Sequence, residues 1–373
     1  MGLKAAYYFL RPSLLRMRGY TLLKRQETAA FMNQYSVKSL PGNPVMLSET
    51  ANARDAEIVI FKNKQILTDH VYVWKYQKSN RKGKLSRYGS VIIEGRVLCT
   101  DWNIDSFYKD IWKRDTRVGK DVPTLIALFS QHQDGILYGG YFDYVFHIAA
   151  KLCRIKDTFP DEDFSKLFIS YPVFKKDYET EFLSLLDIDM NHVIDSREYQ
   201  LTSSHIITGN SAHWYPNIHD ISSLRRHLLK KVQLVKTTPN RIYISRASRR
   251  KIVNESELIE LLKKFDFIVI EDKPRSVAEQ MSIYYNAAFI LGPHGASFSN
   301  VIWCQPGAHL MELFSPNYAP DFYLYLTTVM NMTYSAYYDS TADPFVDYAA
   351  GLVEDIYVSI PKLESYFKEI LIS

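Results

Sequence analysis

The sequence predicts an α/β protein built on parallel sheets, and three observations carry that expectation. From about residue 120 onward, short apolar stretches alternate with amphipathic ones, the order that places strands in a sheet and helices on its faces. Hydrophobic residues make up 47% of the chain and aromatic residues 14%, enough to fill sizeable cores and to exclude a disordered protein. At 373 residues the chain is longer than one core ordinarily uses, so two domains are expected.

Residues 1–26 hold Lys4, Arg11, Arg16, Arg18, Lys24 and Arg25 with no acid, interleaved with Phe9, Leu10, Leu14, Leu15, Leu22 and Leu23. Such a segment suits an anionic membrane surface. A solvated, docked terminal helix broken at Pro12 is the plainer alternative. These six cations exceed the chain's net charge of +4, so the rest of the chain is slightly acidic, which argues against a nucleic-acid binder. Residues 57–62, 65–76 and 88–100 read as strands, the last folded at Glu94-Gly95. A strand follows at 124–130, a helix at 140–156, a strand at 166–171 and a helix at 175–186.

Gly209-Asn-Ser-Ala212 and Pro216-Asn217 interrupt the alternation, so the sequence divides into 1–215 and 216–350. Arg241-Ile-Tyr-Ile-Ser-Arg246 then reads as a strand ending in polar residues, and Asn254-Glu-Ser-Glu257 opens a helix over 256–265. Strands at 267–271, 287–292 and 308–314 surround a helix at 276–286. Residues 351–373 are expected to form a C-terminal helix that packs back on the N-terminal domain. Cys99, Cys153 and Cys304 are too few and too scattered for a disulfide framework or a zinc site, which fits a reducing compartment. No apolar run approaches the roughly 18 residues of a membrane span, and no cleavable signal is legible. The expected location is the cytoplasm, at most peripheral on the inner face of the membrane.

The densest chemical signal is Ile290-Leu-Gly-Pro-His-Gly-Ala-Ser-Phe-Ser-Asn300. An apolar strand runs into Gly292, turns through Pro293-His294-Gly295, and opens a helix with Ser297 and Ser299 near its start. Small residues admit a ligand to the backbone, and free N–H groups at a helix start attract phosphate; an ordinary tight turn with a packed histidine is the alternative. The turn is neither a P-loop nor a dinucleotide fingerprint. Arg246, at a strand end, can clamp a diphosphate. Arg249 is a further candidate, with surface charge the alternative reading for Arg249 and Arg250. Glu312, in the strand Leu310-Met-Glu-Leu-Phe314, would suit the hydroxyls of a ribose. Strand-end arginine, helix-start histidine and strand-end glutamate outline a nucleoside-diphosphate site. Asp161-Glu-Asp163 and Asp187-Ile-Asp189 have metal-binding spacing but read better as solvated or capping carboxylates, and no metal site is expected.

At this point the sequence resembles glycosyltransferase family 61. The matching pieces are Arg241-Ile-Tyr-Ile-Ser-Arg246, Asn254-Glu255, Glu279-Gln280, Gly292-Pro-His-Gly-Ala296, Ser299-Asn300, Pro306-Gly-Ala308 and Glu312-Leu313. The resemblance covers roughly residues 138–340. It implies a GT-B-like fold, two Rossmann-like domains facing across a cleft, with 1–215 on the acceptor side and 216–350 holding the nucleotide sugar. It implies transfer of xylose, N-acetylglucosamine or a similar sugar from a UDP-sugar, with inversion and without a metal or other cofactor. The acceptor would be a hydroxyl of a cell-surface glycan or glycolipid, such as capsule or lipopolysaccharide. Arg246, His294, Gly295 and Glu312 would hold the donor, with Ser245, Glu279 and Asn300 nearby. One departure concerns the general base that inversion requires: Asp143 stands where the family commonly has a histidine. His147 lies one helical turn further, and His132 is a third choice. Other readings are a GT-B-type epimerase or pyruvyl transferase, and a non-catalytic glycan- or nucleotide-binding scaffold.

Overall fold

The computed structural model describes residues 3–101, 107–108, 114–129, 140–212, 214–237, 240–315, 317–339 and 348–372. The protein is α/β and divides into two compact units, Met1–Asn43 with Thr68–Lys231, and Pro44–Leu67 with Val232–Ser373. The division differs from the expected one in three places. It falls at 231/232 rather than at 215, because the helix Ile218–Lys231 packs along Ala150–Thr158 of the first unit. The expected strand 65–76 is two strands, Lys64–Leu67 and Val71–Gln77, and the unit boundary runs between them. The terminal helix Ile360–Ile372 belongs to the second unit: Leu363 and Phe367 bury against Leu258, Leu261, Phe265, Phe267 and Phe289.

In the first unit a six-stranded sheet runs Val193–Asp195, Phe168–Tyr171, Leu125–Ala127, His205–Gly209, Val71–Gln77, Ser36–Leu40. Its first four strands are parallel. Taken in chain order those four lie 3-2-1-4, so the winding reverses between Leu125–Ala127 and His205–Gly209. A second sheet of six short strands includes the hairpin Val91–Ile93/Arg96–Val97, with Glu94 and Gly95 at positive φ as its tight turn demands. The N-terminal helix Leu3–Met17 continues through Pro12 rather than breaking there. Leucine and arginine neighbours favour helix, and Leu15 anchors its last turn in the core. Its exposed face carries Phe9 and Met17, 76% and 83% accessible. No helix among the described residues is long and apolar enough to cross a membrane.

The second unit holds a seven-stranded sheet. Its order is Phe267–Ile270, Asn240–Ile244, Ala287–Pro293, His309–Phe314, Thr333–Tyr338, Thr50–Asn52, Asp55–Phe61. The five C-terminal strands are parallel and lie 2-1-3-4-5 in chain order, so the winding reverses between Asn240–Ile244 and Ala287–Pro293. In doubly wound sheets such a point is where a crevice forms, beyond the carboxyl ends of the two strands, because the connections leave toward opposite faces of the sheet. The residues that follow those strands are Ser245-Arg246 and His294-Gly295. Strand order alone therefore brings the two sequence signals to one place.

Candidate functional site

The site is built at the reversal point of the second unit. Gly292 lets the strands approach: a Cβ there would sit 2.8 Å from the carbonyl oxygen of Ile244 and 3.2 Å from the Phe298 ring. Gly295 lets a side chain approach, since a Cβ there would sit 2.2 Å from Nη1 of Arg246. The Arg246 guanidinium lies in the space a side chain would fill and donates to the carbonyl oxygen of His294 at 2.7 Å. Beyond Gly295 the chain forms a 3-10 helix, Ala296–Trp303, rather than an α-helix.

Arg250 joins this group, although its place in the run Arg249-Arg250-Lys251 reads as surface charge. It is only 5% exposed, its backbone is left-handed with φ 55°, and its guanidinium lies over the Tyr318 ring at 5.4 Å. The left-handed residue turns the chain so that a side chain that would point outward points in. Its Nε has no hydrogen-bond partner, and no carboxylate forms an ion pair with Arg246 or Arg250 among the described residues. Burial pushes Arg246 down to about 10, and the charges of Arg250 and Arg249 push in the same direction. Burial and Arg249 lower Arg250 as well. Asp272 attracts Arg246 and Glu312 attracts Arg250 only through space, so these two like charges, one half-buried and one buried, favour an anionic ligand. Nothing local to the sequence announces this, because the φ of a single residue decides it.

His294 is fixed from behind. Its Nδ1 donates to Glu312 Oε1 at 2.7 Å, and Tyr334 donates its hydroxyl to Oε2 at 2.7 Å. The carboxylate, wholly buried, accepts only, so it fixes the proton on Nδ1 and leaves Nε2 with its lone pair. Burial lowers the imidazole below its ordinary range, against the opposing pull of Glu312. Phe314, Tyr318 and Tyr323 pack around the ring at 5.4, 5.3 and 5.2 Å. The expected ribose role of Glu312 therefore changes: with no exposed surface and both oxygens engaged, it orients His294.

The remaining predicted donor residues separate. Ser245 and Tyr243 both donate to Glu255 Oε1, at 2.8 and 2.7 Å, and tie the strand to the helix Glu255–Lys263. Asn300 is buried and fastens the turn, donating to Gln280 and the carbonyl of Ser297 and accepting from Trp303 Nε1. Glu279 is exposed and paired with Arg275 at 3.1 Å. Ala296 and Ser297 follow Gly295 directly, Ser297 on the surface. Arg249 is half-buried beside Arg246 and Arg250.

In the first unit the helix expected at 140–156 runs from Tyr141 to Thr158, but Tyr144–Ala149 is wound as a π-helix. Such segments are rare and frequent at functional sites. Asp143 and His147 flank its start and centre, both buried, with Oδ1 and Nε2 3.7 Å apart. Asp143 also accepts from the N–H of Gly140 at 3.2 Å, so it caps the helix as well. His147 stacks on Phe129 at 6.1 Å. His132 lies outside the described residues. Asp163 and Asp189 cap short turns by accepting from Ser165 and Asn191, and no group of three potential metal ligands occurs among the described residues.

A family described as Glycosyltransferase 61 matches residues 121–311, just over half of the chain. The protein is a member of glycosyltransferase family 61. The matched region includes Asp143, His147, Arg246, Arg250, His294 and Gly295, and ends one residue short of Glu312. No sequence match to a curated protein is found. Among solved structures, the dodecameric iron-containing heptosyltransferase TibC, in complex with ADP-D-beta-D-heptose, is 11% identical. That alignment covers 88% of this chain and 92% of that one, at a TM-score of 0.27. At that score the likeness decides neither fold nor function. This member of glycosyltransferase family 61 thus carries a buried cationic group and a fixed histidine at one reversal point.

Proposed function

We propose that this glycosyltransferase moves a sugar from a UDP-sugar to a hydroxyl of a glycan or glycolipid acceptor, with inversion and without a metal. The observation that carries the reading is the pair of guanidiniums beside the His294-Gly295 turn, buried Arg250 and half-buried Arg246, neither of them ion-paired with a carboxylate among the described residues. As the acceptor oxygen attacks the anomeric carbon, the bond from that carbon to the diphosphate breaks and negative charge moves to the leaving nucleotide. Arginines already held in place stabilise that charge without reorganising. The acceptor's proton passes to a general base, for which Asp143 is the first choice and His147 the second; Asp143 immediately precedes the π-helical turn and His147 lies on it. With its proton on Nδ1, His294 meets the donor as a hydrogen-bond acceptor, suited to a hydroxyl of the nucleotide sugar.

The GT-B-like arrangement, two Rossmann-like units facing across a cleft, belongs to the same proposal. Its support is that each unit has its own doubly wound sheet and its own reversal point. A peripheral membrane contact through residues 1–26, on the cytoplasmic side, is also proposed. Phe9, Leu10 and Met17 exposed beside Arg16 and Arg18 support it, and capsule or lipopolysaccharide glycans are acceptors consistent with it.

Thermal shift and nucleotide release with a panel of UDP- and CMP-sugars, with and without EDTA, test the reading. Stabilisation by a UDP-sugar with EDTA-insensitive release of UDP is expected. Absence of any nucleotide response would overturn it, and binding without turnover would leave a scaffold.

A further inference from the structure

A second cluster of cations lies wholly within the first unit. A cavity of about 230 Å³ is lined by Arg18, Lys84, Arg87, Arg114 and Arg117, with Asp115 as the only acid among the described residues that line it. Strand register builds it: Lys84 pairs with Ile92 on one side and Thr202 on the other, which sets Lys84, Ile92 and Gln200 on one face of the short-stranded sheet. The floor is apolar, where Tyr20 meets Phe107 edge to face at 5.4 Å above buried Ile92.

The charges in this cavity do not cancel. Arg117 engages both oxygens of Asp115, at 2.9 and 2.6 Å, and holds that carboxyl below its usual range. Lys84 donates to the Tyr20 hydroxyl at 2.9 Å, a neutral partner. Arg87 and Arg114 form no ion pair among the described residues. Asp115 is thus held by Arg117 and attracted by Arg87, while Lys84, Arg87 and Arg114 have no carboxylate at ion-pair distance among the described residues and line a cavity that an anion of sugar size would fill.

We infer that this cavity binds a phosphate or carboxylate group carried by the acceptor, so that the acceptor is anionic. Guanidiniums fork onto either group, and the Tyr20–Phe107 pair gives the attached sugar an apolar surface to pack on. Naming the bound molecule as acceptor rests on the donor reading above; the anion site itself does not.

The full chain, saturated with UDP to fill the donor site, is titrated by calorimetry with glucose 1-phosphate, with uncharged glucose as the control. In a second arm it is sedimented with phosphatidylglycerol vesicles against phosphatidylcholine vesicles. Glucose 1-phosphate is expected to bind where glucose does not. Arg87→Ala and the surface variant Arg114→Ala should each weaken it about tenfold while leaving UDP affinity and melting temperature unchanged. The same loss confined to the vesicle arm assigns the phosphate to a lipid headgroup. Binding that is unchanged in both variants, or absent from both arms, overturns the site. A chain that fails to bind UDP overturns the donor reading instead, and the dependence on Arg87 and Arg114 is then read without UDP.

Discussion

The reversal points of the two sheets both gather buried or half-buried cations, and they treat them in opposite ways. In the first unit Lys151 donates to Asp101 and to the carbonyl of Leu128, while Arg154 pairs with Asp220 and donates to the carbonyl of Asn210. All four charged side chains are buried and every cation has its carboxylate. In the second unit Arg246 and Arg250 have none. The contrast teaches what each set is for. Paired charges hold the loops after Ala127 and Gly209 in place, whereas unpaired ones require a counter-ion from outside.

Breaking a pair in the first unit should have the largest effect. Asp220→Ala strands Arg154 in the interior and should cost about 3–5 kcal/mol of unfolding free energy in a denaturant titration. A loss below roughly 1 kcal/mol would mean that the pair does not hold the first unit together. Arg250→Met should do the reverse. It removes a buried charge that no carboxylate pairs, so stability should hold or rise, while UDP binding weakens by about 1.5–3 kcal/mol, roughly ten- to a hundredfold, in calorimetry. Equal UDP affinity would erase the contrast.

A smaller effect separates the units by pH. His309, stacked on Phe289 at 4.3 Å, is pushed by burial down to about 4. The unfolded chain takes up this proton near its ordinary value of about 6.5. Between about 6.5 and about 4 the unfolded state thus binds more protons, and stability falls as pH falls. A His309→Gln variant should lose less melting temperature across that window than the parent; identical pH profiles would remove His309 from the account.

Much of the second unit was legible because its signals are local. Apolar runs ending in polar residues located Asn240–Ile244, Phe267–Ile270, Ala287–Pro293 and His309–Phe314 to within a residue or two. Gly292, His294 and Arg246 stood out because small residues and a strand-end cation are readable in place. Glu312 was found but misassigned. Its partner Tyr334 lies on the neighbouring strand, and pattern alone does not show that both faces of Leu310-Met-Glu-Leu-Phe314 are covered. The π-helical turn at Tyr144–Ala149 and the left-handed Arg250 were illegible for a related reason, since a backbone departure fixed by packing leaves no compositional mark. The exchange of 44–67 between units was furthest out of reach: Asn52 pairs with Ala336, a partner most of the chain away.

That exchange shapes how the protein is made. The edge of the second sheet beside Thr333–Tyr338 is closed by Thr50–Asn52, and Asn52 also bonds the backbone N–H and carbonyl of Tyr338. These residues leave the ribosome early and must wait for almost the whole remaining chain, at roughly 5–20 residues per second, before their partner exists. During that interval Asp55–Phe61 and its neighbours have only each other. A fragment starting at residue 216 would never receive them, and would expose Thr333–Tyr338 as an open strand edge, a template for self-association. The second unit is therefore begun by the first part of the chain and completed by the last, and a single cut cannot yield both units whole.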